Sequence, residues 1–103
     1  MVIRGKEVDF RITRLKDAAR FEAAKAEFEG NKDNLSGKPG EPITETIGRA
    51  IGAFRRFLIT ATGEDILADC DDLEEAKAAF GEFCQGVAAQ KNTMPVFSAA
   101  DIK

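Results

Sequence analysis

The stretch 42-PITETIGRAIGAFRRFLITATG-63 sets the architecture of this chain. Proline suits the first turn of a helix, and glycine the position just past its end. Between them Ile43, Ile47, Ala50, Ile51, Phe54, Phe57, Leu58 and Ala61 fall within about 120° on a helical wheel. A stripe that wide must be covered by other elements, so the chain is expected to fold as helices around a shared core. Gly48, Gly52 and Ile59 lie on a different side, roughly opposite, with Arg55 at its margin. Two interior glycines cost a helix about 2 kcal/mol relative to alanine. They do not soften the core face; they open a second face to close approach.

Upstream, residues 1–13 alternate as a strand does: Val8, Phe10 and Ile12 point one way, and Glu7, Asp9 and Arg11 the other. Gly5-Lys6 fits a two-residue II′ turn. That register pairs Ile3 with Val8 and Met1 with Phe10, and sets Arg4 opposite Glu7. Two strands alone are marginal, so the hairpin must lie on helices. Residues 14–29 read as a loosely amphipathic helix with Leu15, Ala18, Phe21, Ala24 and Phe28 inward, Thr13 as N-cap and Gly30 as C′ residue. Residues 30–41, "GNKDNLSGKPGE", read as a flexible loop inside one domain. The loop lacks the Lys-Ser/Thr pair and the leading strand of a phosphate loop.

Downstream, "GEDILADCDD" (63–72) is a short acidic connector with an apolar Ile66-Leu67 plug. Asp71 and Glu74 form a capping-box-like start to a third helix. Leu73, Ala76, Phe80, Phe83, Cys84 and Val87 make its seam, and it ends near Asn92. The predicted architecture is α+β, mainly α: an N-terminal β-hairpin packed on three helices. Residues 1–92 form one globular domain and 93–103 a C-terminal tail, whose Met94, Val96, Phe97 and Ile102 show no helical period.

Composition narrows the chemistry. The 103 residues are 44% hydrophobic and 32% charged, with net charge −3 and no His, Trp or Tyr. A chain this acidic, with a pI near 5.0, is not expected to be a dedicated nucleic-acid binder. No apolar run approaches the roughly 20 residues that span a bilayer, and "MVIRGKEVDF" has no apolar h-region of a signal peptide, so a cytoplasmic location is expected. Without His, the commonest general base and metal ligand is missing. Neither Ser36 nor Ser98 sits in a nucleophile elbow, and Cys70 and Cys84 form no disulfide framework. The acidic residues Glu64, Asp65, Asp69, Asp71 and Asp72 do not fit a calcium loop, because Leu73 and Glu74 fall at its fifth and sixth positions. A carboxylate hydrolase built on Glu64, Asp65 and Asp69 is the residual enzymatic reading. No enzyme activity, cofactor or metal is expected.

Two surfaces remain. Arg49, Arg55 and Arg56 are the candidates for anion or RNA binding, against the plainer reading of a solvated face with pairs such as Glu45–Arg49. Gly48, Gly52, Arg55 and Ile59 are the candidate contact surface, for a protein partner or a second copy. The alternative for this face is an internal contact with the hairpin or tail. A membrane role for Gly48-xxx-Gly52 is excluded by the glutamate and arginines in the same helix.

Over about residues 2–92 the chain resembles a family of short phage and prophage proteins of Gram-positive hosts. The resemblance rests on Ile3-Gly5-Phe10 in the hairpin, Phe21-Glu22 in the first helix, Ile47-Phe54-Phe57 in the second, the Gly63 connector, and Ala79-Phe80-Glu82-Phe83 in the third. It departs in the Pro/Gly-rich loop 30–41 and in its many alanines. Genes of this family lie among siphophage tail-morphogenesis genes. The resemblance implies a tail-assembly or chaperone-like role, with no catalytic residues to carry over.

Overall fold

The computed structural model describes residues 1–93, so Met94, Val96, Phe97 and Ile102 lie outside the described residues. The elements are β1 (Val2–Ile3), β2 (Lys6–Glu7), α1 (Leu15–Gly30), a 3₁₀ turn (Lys32–Leu35), α2 (Ile43–Thr62) and α3 (Leu73–Asn92). The architecture is mainly helical with a short antiparallel hairpin, as the alternation and the wheel imply.

Aromatic rings tie the three helices together. Phe28 of α1 stacks on Phe80 of α3 at 5.1 Å and meets the Phe57 ring of α2 edge-on at 5.5 Å. Phe83 of α3 is wholly buried and takes Phe10 edge-on at 5.1 Å and Phe57 edge-on at 5.6 Å. Offset and edge-to-face rings gain quadrupole attraction on top of their buried area. Ile3, Val8 and Phe10 are buried on the inner face of the N-terminal segment, which therefore closes the core against α3.

The hairpin keeps its predicted faces and changes its register. Val2 pairs with Glu7 and Ile3 with Lys6, not Ile3 with Val8. Met1 and Val8 continue the ladder through bonds of 3.0 and 2.7 Å. The turn residues are Arg4 and Gly5, at φ 53° and 75°, instead of Gly5-Lys6. Positive φ at both central positions is the I′ turn. A left-handed arginine is disfavoured on its own, and contacts beyond the turn hold it. Its guanidinium reaches the Ile66 carbonyl at 3.1 Å, and Asp69 and Glu75 at 3.5 Å. Arg4 consequently points across to the connector and α3 and does not face Glu7.

Helix ends differ in detail. Arg14, not Thr13, occupies the N-cap of α1 without a side-chain bond. Asp17, a buried carboxylate, accepts from the Arg11 amide at 3.0 Å instead. Gly30 belongs to the helix, and Asn31 caps it. Leu15 is 86% exposed, because at the first turn it projects beyond the core. At α3 the cap is Asp72, whose carboxylate accepts from the Glu74 amide at 2.8 Å; Asp71 is left free for the surface. Gly63 ends α2 in the left-handed conformation at φ 77°, returning its amide to the Ile59 carbonyl.

Candidate contact surface

Helix α2 divides into a core face and an open face. Ala50, Phe54, Phe57, Leu58 and Ala61 are buried, whereas Ile43 projects past the core and is 71% exposed. Ile47 and Ile51 are half-buried at the boundary. On the other side, a Cβ added to Gly48 or to Gly52 would meet no heavy atom within 4 Å. Neither glycine is therefore required by packing among the described residues. The contact with the hairpin that could have explained them is not made.

Beside the glycines runs a groove of about 520 Å³. Thr44, Ile47, Gly48, Ile51, Gly52 and Arg55 form its α2 wall, and Leu67, Cys70 and Asp71 of the connector form the other. The connector builds this wall because Ile66 and Leu67 are buried and draw the chain back along α2. Three of the four predicted surface residues thus come together. Ile59, 39% exposed, lies a turn beyond Arg55 and outside the groove lining. The helical wheel did not reveal Leu67, Cys70 and Asp71, although the Ile66-Leu67 plug was the available signal.

Arg55 is oriented by Asp65: its Nε donates at 2.8 Å and its Nη2 at 2.5 Å. Fork-to-fork pairing of this kind fixes the guanidinium plane. The same hydrogen bond holds the Asp65 carboxyl below its usual range. Nη1 of Arg55 donates to no group among the described residues, so it remains available at the groove's end.

The three arginines do not form one anion site. Arg49 pairs with Glu41 and not with Glu45, Arg55 with Asp65, and Arg56 with Glu27 of α1. Each carries its own carboxylate, which offsets the charge an incoming phosphate would meet. The connector carboxylates are also dispersed: Glu64 pairs with Lys6, Asp65 with Arg55 and Asp69 with Arg4. Among the described residues no three His, Cys, Asp or Glu side chains gather as a metal site. The Cys70 thiol donates to the Asp72 carbonyl at 3.3 Å, while burial pushes the Cys84 thiol up.

A second cleft, of about 290 Å³, lies between α1 and α2 over Phe28 and Phe57, with the Glu27–Arg56 pair at its mouth. No helix among the described residues is long and apolar enough to cross a membrane. Comparison with protein-family models, curated proteins and solved structures finds no match to this chain.

Proposed function

We propose that this chain is a non-enzymatic protein-interaction module, of a tail-assembly or chaperone-like kind, that works in the host cytoplasm through the open face of α2. One observation carries the reading: among the described residues Gly48 and Gly52 face open space on a groove that Ile47, Ile51 and Leu67 also line. Glycine in mid-helix is costly, and among the described residues no internal contact offsets the cost. A partner backbone lying against Gly48 and Gly52 would. The groove's apolar lining supplies area to bury, and Arg55 supplies the polar rim common at protein interfaces.

The alternative, anion or RNA binding by Arg49, Arg55 and Arg56, has less support because each guanidinium is already held by a carboxylate. Co-expression with the products of the flanking genes, followed by amide hydrogen exchange, tests the proposal. Protection of residues 44–55 and 67–71 in the resulting complex is the expected outcome. Protection confined to other surfaces would overturn it.

A further inference from the structure

The open face of α2 carries a pattern complementary in charge to its own reverse. Glu45, Gly48, Gly52 and Arg55 are placed symmetrically about position 50. At 3.6 residues per turn they fall within about 80° of one another on the helix. In two copies of α2 laid antiparallel across a two-fold axis, Gly48 of one copy meets Gly52 of the other. Glu45 then lies level with the Arg55-Arg56 pair of the second copy. The relation repeats at the other end, as a two-fold requires.

We propose that a second copy of this chain occupies the open face, α2 against α2 and antiparallel. This rests on the reading of that face as a contact surface, and it names the occupant. Three observations argue for it. Glu45 is exposed and its carboxylate forms no ion pair or hydrogen bond among the described residues, because Arg49, one turn along, closes on Glu41 instead. Arg55 has Nη1 unengaged among the described residues, since only Nε and Nη2 bind Asp65. A guanidinium has five donors, and it can hold Asp65 and a second carboxylate together. Finally, the two-fold places both grooves on the same side of the seam, where Ile47 and Ile51 of each copy can cover one another.

Orientation follows from charge. A parallel pair would set Glu45 against Glu45 and Arg55 against Arg55, and like-charge contact across an interface selects against that arrangement. With glycines at the crossing, the two backbones can approach closely enough for Cα–H to carbonyl contacts.

Sedimentation of the intact chain over a range of concentrations tests this, with circular dichroism confirming that each variant is folded. The wild type should dimerise. Glu45→Arg and Arg55→Glu should each weaken the homodimer about tenfold or more. An equimolar mixture of the two variants should associate, because the reversed charge at position 45 of one copy then faces its opposite at position 55 of the other. A wild type that stays monomeric throughout would overturn the second copy as occupant. Exchange protection of 44–55 by a flanking-gene product would then still support the contact surface itself. A dimer indifferent to both charge reversals would also overturn the proposal, since its interface would lie elsewhere.

Discussion

Arg49 of α2 closes on both carboxylate oxygens of Glu41, the last residue of the loop that precedes its own helix. The same guanidinium donates to the Asn34 carbonyl at 3.3 Å and to the Ser36 carbonyl at 2.6 Å. Thr46 adds a 2.7 Å bond to Glu41. A segment rich in glycine and asparagine is thereby pinned to α2 by two of its side chains, Arg49 and Thr46. Arg49 and then Thr46 hold the Glu41 carboxyl down from its ordinary 4.5 to about 2.

The pH dependence of the loop follows from that shift. Glu41 binds its proton more weakly folded than unfolded, so its contribution is present above about 4.5 and is lost as pH falls towards about 2. Amide protection across residues 31–41, measured against the intrinsic exchange rate at each pH, should fall over that window while α3 stays protected. Glu41→Gln should show fast loop exchange already at neutral pH, with no acid step. An acid step that survives in Glu41→Gln would assign it to other carboxylates.

Gln90 of α3 bridges the segment after the hairpin. Its Oε1 accepts from the Ile12 amide at 2.7 Å and its Nε2 donates to the Phe10 carbonyl at 2.8 Å. Removing a partner from part-buried backbone groups costs about 1–3 kcal/mol for each group left unsatisfied. Gln90→Leu should therefore destabilise the fold by a few kcal/mol in denaturant titration. Exchange should speed up first at residues 8–12. An unchanged midpoint would mean that water replaces the bridge.

Two glycines should respond in opposite directions. Gly63 sits at φ 77°, and an added Cβ would fall 2.6 Å from an Arg20 guanidinium nitrogen. Gly63→Ala should lower stability by about 1–2 kcal/mol, chiefly through the left-handed backbone, because the arginine tip can move aside. Gly81 lies inside α3 with ordinary helical φ and open space at its Cβ position. Gly81→Ala should raise stability by up to about 1 kcal/mol. Paired thermal melts compare the two, and equal signs would contradict the distinction.

Patterns that depend on one face of one element were legible in the sequence. The inward set Ile3, Val8, Phe10 and Ile12 follows from period 2, and it survives the register change because that slip is by two residues. The core stripe of α2 follows from period 3.6. What local pattern did not carry is choice among distant partners. Arg4 enters the turn because Ile66, Asp69 and Glu75 await its guanidinium more than sixty positions away. Arg49 sits four residues from Glu45 yet takes Glu41, where loop carbonyls offer further acceptors. The same limit hid half of the groove: Gly48 and Gly52 are visible on a wheel, but the return path of Leu67 and Cys70 is a tertiary fact.

If the glycine face of α2 serves contact with another chain and not the fold, bulk placed there should leave the monomer intact. Gly52→Leu is the decisive variant, read by thermal melting of dilute protein together with sizing chromatography. A Cβ at position 52 meets no heavy atom of the described residues within 4 Å, and leucine replaces the poorest non-proline helix former with a good one. The melting temperature of the dilute protein should hold or rise, while association through this face is lost. A fall in the melting temperature of a protein that is monomeric throughout would refute the contact-surface reading, because the added side chain would then be striking the fold itself.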